Sequence, residues 1–199
     1  MTAAAVHHIA LLGDSIFDNG IYTGGQPDVV THLRTMLPAG WTAKLCAIDG
    51  STASMVAAQV PRIPPRTTCI VVSVGGNDAL RHQGVLYAPH GDGGVLRELA
   101  EAAEVFRVEY RAALLLLKSL GTRMLACTIY NGNLPDEVAS AAKAALAVFN
   151  DAIYRTAGEL GVPVLELRRV CTEPSDYANP IEPSGPGGAK IARAILAQL

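Results

Sequence analysis

Five short apolar runs, separated by segments of helical character, leave this chain few folds to choose from. They are Ile9–Gly13, Trp41–Ile48, Thr68–Val74, Arg123–Ile129 and Val162–Leu167. Thr68–Val74 is rich in β-branched residues and reads as a strand buried on both faces. Between the runs, Val29, Val30, Leu33 and Leu37 recur at helical spacing, with Pro27 as a first-turn residue and Pro38 and Gly40 as the stop. Ser51 or Thr52 is placed to cap a short helix carrying Met55, Val56 and Val60. Two long helices are predicted over Val95–Leu120 and Glu137–Leu160, halted by Gly121 and Gly161. A Pro-rich loop, Cys171–Pro186, precedes a last helix that opens at Gly187 or Gly188 and runs to Leu199. Strand and helix alternate with no composition shift and no repeat. The pattern predicts an α/β fold, a five-stranded parallel sheet sandwiched by helices, as a single domain over residues 1–199.

Composition narrows the function. Half the residues are hydrophobic but only 5% are aromatic, so the core is built from Ala, Val, Leu and Ile. A net charge of -2 gives no reason to expect nucleic acid or an anionic membrane as partner. The longest apolar stretch, Ala112–Leu117, is cut by Arg111 and Lys118, well short of a membrane span. The N-terminus lacks the basic start and apolar stretch of a secretory signal, so a cytoplasmic location is the expectation. Cys46, Cys69, Cys127 and Cys171 form no C-x-x-C pair and read as buried free thiols. Oligomeric state is not legible.

Each strand end carries chemistry. Strand one delivers Asp14 and Ser15, strand two Asp49 and Gly50, strand three Gly76, Asn77 and Asp78, and the final loop Asn179 to Ser184. A parallel sheet gathers such residues at its carboxyl edge, where ligands of open α/β sheets bind. A serine nucleophile needs a base and donors for the developing oxyanion; the Ser15 N–H, Gly50 N–H and Asn77 amide are of the right kind. Residues 79 to 94, with Gly84, Pro89 and three further glycines, read as an irregular, mobile segment beside the site.

These residues resemble the SGNH (GDSL-type) hydrolases. Gly13-Asp14-Ser15 is similar to that family's first block, Gly50 to its second and Gly75-Gly76-Asn77-Asp78 to its G-x-N-D block. The resemblance implies a flavodoxin-like α/β/α sandwich and a small-molecule ester substrate, with no cofactor. It also implies Ser15 as nucleophile, with Gly50 and Asn77 completing the oxyanion hole. A small acyl or acetyl ester is the expected substrate. The family's Asp-x-x-His block is where this chain departs: Asn179 stands for the orienting Asp and Glu182 for the His.

A Glu base starts about 2 pKa units below His, roughly 3 kcal/mol less favourable for proton abstraction unless burial raises it. Burial between Ile181 and Pro183, near Asp14 and Asp78, would do so, with Asn179 orienting the carboxylate through its NH₂. Asp14 and Asp78 read as acceptors of backbone N–H groups that shape the turns around Ser15 and Asn77. Among histidines, His7, His8 and His32 fall on the wrong side of the site, and His82, ahead of His90, is the one placed to swing toward Ser15. Two alternatives stay open: a catalytically silent relative that binds a small ligand, and a carboxylate–metal site using Asp14, Asp78 and Glu182. Tyr22, Tyr87, Tyr130 and Tyr177 are expected to shape the pocket.

Overall fold

The computed structural model describes residues 7–87 and 93–199. Five strands, β1 (His8–Gly13), β2 (Thr42–Leu45), β3 (Cys69–Ser73), β4 (Arg123–Cys127) and β5 (Val164–Leu165), form one sheet in the order β2-β1-β3-β4-β5. Every pairing is parallel. The α-helices are α1 (Val29–Met36), α2 (Gly76–Leu80), α3 (Gly94–Lys118), α4 (Asp136–Leu160) and α5 (Gly185–Leu196). This is the doubly wound arrangement whose order reverses between β1 and β3, and the crevice outside their carboxyl ends is where such sheets bind ligands.

The period of two along the strands builds both cores. Ala10, Leu12, Ile70, Val72, Met124 and Ala126 face α3 and α4, where Phe106 meets Tyr110 and Phe149 at ring distances of 5.3 and 5.5 Å. Ile9, Leu11, Cys69, Val71, Leu125 and Cys127 face α1 and α5. Phe17 and Tyr130 add two aromatic rings to this second core, which is otherwise mostly aliphatic. All four cysteines are buried and free.

Several boundaries differ from the sequence reading, each for a local reason. Asp28, not Pro27, opens α1: its Oδ1 accepts the Thr31 N–H at 2.8 Å, and Pro27 lies just outside. Ser184 caps α5 through the Gly187 N–H at 3.1 Å, so that helix begins at Gly185 rather than Gly187 or Gly188. Strand five shrinks to two residues, because Glu166 turns the chain into a short 3-10 helix by accepting the Arg168 N–H. The segment after Thr52 is a 3-10 helix over Ala53–Arg62, not an α-helix. Three residues per turn place Ala53, Val56 and Gln59 on its buried face and leave Met55 46% exposed. Within the stretch read as irregular, residues 79–80 complete the helix Gly76–Leu80 and Gln83–Tyr87 is a 3-10 turn, while residues 88–92, His90 included, lie outside the described residues.

Candidate active site

β1 ends at Gly13, whose φ is +124° and where a Cβ would lie 1.7 Å from the Ser73 carbonyl oxygen. Only glycine allows this approach of β1 to β3. The chain then turns sharply. The Asp14 N–H donates to Ser73 O at 3.1 Å, the Phe17 and Asp18 N–H groups donate to Asp14 O at 3.1 Å, and the Ile16 N–H donates to Asp14 Oδ1 at 3.1 Å. Ser15 sits at the apex, and among the described residues its N–H donates to no protein acceptor.

Gly50 lies in the loop after β2 with φ of +74°, a left-handed conformation that favours glycine, and its N–H likewise has no protein acceptor among the described residues. That loop is tied to the Ser15 loop: the Asp49 N–H donates to Asp18 Oδ2 at 3.0 Å, and the Tyr22 hydroxyl donates to Asp49 Oδ2 at 2.7 Å. Asn77 stands in the first turn of α2 and donates one amide N–H to Ser51 O at 3.0 Å, which leaves its second for a ligand. Asp78 does not shape the turn after Asn77 alone. Both its oxygens accept the Ala53 N–H, at 3.3 and 3.1 Å, joining α2 to the 3-10 helix.

Glu182 reaches the same edge from the loop before α5, and its backbone is held from several directions. Asn19 Nδ2 donates to Pro183 O at 3.1 Å, the Tyr130 hydroxyl donates to Ile181 O at 2.5 Å, and the Ala178 N–H donates to Glu182 O at 2.8 Å. Asn179 acts differently from the expectation. Its Oδ1 accepts the Ile181 and Glu182 N–H groups at 2.9 and 2.8 Å, so it shapes the turn that presents Glu182 rather than orienting the carboxylate.

The Glu182 side chain is 6% exposed, and its Oε2 is buried without a partner. Burial raises its pKa above the usual carboxylate range. The Ser15 hydroxyl opposes that shift and Asp49 adds to it. Ser15 and Glu182 are thus neighbours, with the Ser15 hydroxyl turned to the carboxylate.

Asp14 is more strongly perturbed, pushed up to about 8 by burial; the Ile16 N–H opposes the shift, and Glu182 and Asp78 add to it. It therefore holds a proton in the folded chain at neutral pH, whereas the unfolded chain loses that proton near 3.8. Its folded pKa is the higher one, so its contribution to stability is complete below pH 4 and is lost as pH rises through about 8. Asp14→Asn keeps the Oδ1 acceptor and removes the titration. Urea unfolding is expected to show the variant within about 0.5 kcal/mol of wild type at pH 4 and a few kcal/mol more stable at pH 8. Equal pH dependence in the two proteins would refute the assignment.

Ser15, Asn77 and Glu182 open onto a cavity of about 160 Å³ whose far wall is apolar, formed by Leu80, Val85, Leu86, Leu134, Leu146 and Phe149. His82 lines this cavity, with its Nδ1 3.8 Å from Glu98 Oε1 of α3. His8 lies at the start of β1, the His7 ring packs on Trp41, and His32 is in α1 with a buried, unpartnered Nε2. Tyr87 and Tyr130 line the cavity, and Tyr177 stacks edge-on to Tyr130 at 5.2 Å. The acidic groups do not assemble a cation site: among the described residues no three His, Cys, Asp or Glu side chains converge to hold a metal ion. Asp78 is instead turned to the Ala53 N–H.

Two buried amides that pattern reading missed complete the site. Asn19 is fully buried, accepts the Val29 N–H at 3.1 Å and donates to Pro183 O, so it links the Ser15 loop, α1 and the Glu182 turn. Gln59 is also fully buried, beneath Gly13. Its only sequence signal is a polar residue in an otherwise apolar segment.

Residues 11–187 match the GDSL-like lipase/acylhydrolase family. The chain belongs to that family. Among solved structures, the fold recurs in an extracellular lipase from Streptomyces rimosus, at 15% identity and TM-score 0.74, covering 98% of this chain and 100% of that one. It recurs in a phospholipase A1 from Streptomyces albidoflavus at 14% identity and TM-score 0.76, with the same coverage. An acetyl xylan esterase matches at 15% identity and TM-score 0.70, covering 96% of this chain and 99% of that one. At such identities the likeness speaks for the fold. A comparison with curated protein sequences finds no match. Among the described residues no helix is long and apolar enough to cross a membrane.

Proposed function

We propose that this GDSL-family protein is a serine esterase that uses a glutamate where its relatives' pattern has a histidine. Ser15 attacks the ester carbonyl and gives its proton to Glu182. The Ser15 N–H, the Gly50 N–H and the free Asn77 amide N–H receive the oxyanion, and the protonated Glu182 returns its proton to the leaving alkoxide. Water then repeats the sequence on the acyl-enzyme. The observation that carries this reading is the placement of Ser15 beside a buried carboxylate with one oxygen unpartnered, at the mouth of an apolar cavity. Burial moves Glu182 toward the range in which a carboxylate works as a base near neutrality.

The cavity also bears on the substrate. Its apolar wall favours an acyl chain longer than the acetyl group that the sequence suggests. Each buried methylene contributes about 0.8 kcal/mol, so kcat/KM is expected to rise roughly fourfold per carbon until the cavity is full. A series of p-nitrophenyl esters from acetate to decanoate tests this: a maximum at an intermediate length supports the reading, and a monotonic fall from acetate contradicts it. A second reading, a silent relative that keeps the pocket for binding, is favoured by one observation, the carboxylate at the base position. Intact-mass analysis after fluorophosphonate treatment separates the two, because only an activated serine forms the adduct.

A further inference from the structure

The oxyanion donors come from three separate segments: the turn after β1, the loop after β2 and the start of α2. Something must hold these segments in register, because a donor is effective only when it lies about 2.7–3.1 Å from where the oxyanion forms. The sheet cannot do this alone. The regular β1–β2 pairing ends at Leu11 and Leu45; beyond it the Cys46 and Ala47 N–H groups donate to Leu11 O at 2.8 Å and the Ile48 N–H to Gly13 O at 3.1 Å, while the Gly13 N–H is left to a side chain.

Gln59 supplies that side chain. Its Oε1 accepts the Gly13 N–H at 2.8 Å, and its Nε2 donates to Gly13 O at 2.7 Å and to Ser51 Oγ at 3.1 Å. One side-chain amide thereby takes the Gly13 N–H and shares the Gly13 carbonyl with the Ile48 N–H. With its remaining hydrogen it grips the residue after Gly50. Ser51 in turn holds Asn77, through the bond from Asn77 Nδ2 to Ser51 O at 3.0 Å. A continuous chain of hydrogen bonds therefore runs from Gly13 through Gln59 and Ser51 to Asn77, and it touches all three donor segments. Gln59 itself is fully buried and does not line the cavity, so it has no contact with substrate.

We propose that Gln59 is a positioning residue that sets the relative placement of the three oxyanion donors. The inference rests on the esterase reading. Removing the amide leaves substrate binding in the apolar cavity intact and loosens the alignment felt only in the transition state. The loss therefore falls on kcat rather than KM.

The test uses the full chain and kcat per active site, with sites counted by fluorophosphonate titration. Gln59→Met, similar in volume and unable to make these bonds, is expected to lower kcat about 10- to 100-fold, with KM within about threefold of wild type. Ser51→Ala cuts one link and keeps the Ser51 carbonyl that holds Asn77. It is expected to lower kcat about three- to tenfold. If Gln59→Met does not fold, Ser51→Ala decides. An unchanged kcat per titrated site in the folded variants, even with a lowered Tm, overturns the positioning role and leaves Gln59 a fold-stabilising residue. A wild-type protein with neither ester hydrolysis nor adduct overturns the esterase reading, and this inference falls with it; an active wild type with unaltered variants overturns this inference alone.

Discussion

Replacing Ser15 by alanine is expected to lower kcat/KM for the best ester substrate by about 10⁴- to 10⁶-fold and to abolish the fluorophosphonate adduct. The magnitude follows from the role. Without the hydroxyl there is no covalent route, and what remains is the oxyanion hole acting on bound substrate and water. The fold should be indifferent to the change. The turn around Ser15 is built from backbone N–H groups and the Asp14 carboxyl, so its backbone hydrogen bonds do not depend on the Ser15 Oγ. Circular dichroism and Tm should therefore match wild type. A Ser15→Ala protein that keeps a tenth of the wild-type rate would exclude Ser15 as nucleophile.

Glu182→Gln should cost about 10²- to 10⁴-fold in kcat, the usual worth of a positioned general base. Glutamine keeps the shape of the side chain and the backbone turn anchored by Asn179, Asn19 and Tyr130. The pH profile carries the sharper test. Wild-type activity requires ionised Glu182, so it falls as pH drops through a pKa that burial holds above 4.5. In Glu182→Gln that acid limb should vanish. The double change Asn179→Asp with Glu182→His restores the family's pattern, and its acid limb should move toward pH 6.5, the ordinary range of histidine. Asp at position 179 retains the oxygen that accepts the Ile181 and Glu182 N–H groups. An unaltered acid limb in Glu182→Gln would exclude Glu182 as the base. Loss of that limb in His82→Gln would then assign the role to His82, which faces the same cavity.

The site carries a cost that these variants also expose. Asp14, Asp78 and Glu182 are each largely buried, and all three have raised pKa values with burial as the first cause. Among the described residues Arg81 opposes the shift of Asp78, and no cation is among the causes acting on Asp14 or Glu182. The chain tolerates these acids by leaving Asp14 protonated near neutrality. The acid held neutral lies deepest, at the base of the turn, and the one proposed to work as a base lies at the cavity mouth.

The sequence by itself determined the order of elements, the parallel sheet and the gathering of Ser15, Gly50, Asn77 and Glu182 at one edge. Those features follow from short-range pattern: apolar runs of strand length, helix stops at Gly121 and Gly161, and the rule that parallel strands share a carboxyl edge. Tertiary structure decided what the polar side chains do there. Asn179 is committed to its own turn through Oδ1, which accepts two backbone N–H groups, and among the described residues no hydrogen bond runs from its NH₂ to the Glu182 carboxylate. Asp78 was legible as an N–H acceptor, but its donor, Ala53, lies 25 positions away and is brought close only by packing. Gln59 was hidden for a geometric reason. An α-helical reading of Ala53–Arg62 groups Met55, Val56 and Val60, whereas the tighter 3-10 winding turns Gln59 inward every third residue with Ala53 and Val56. Local patterns report which face of an element is apolar; which buried amide answers which backbone group is settled only when distant segments meet.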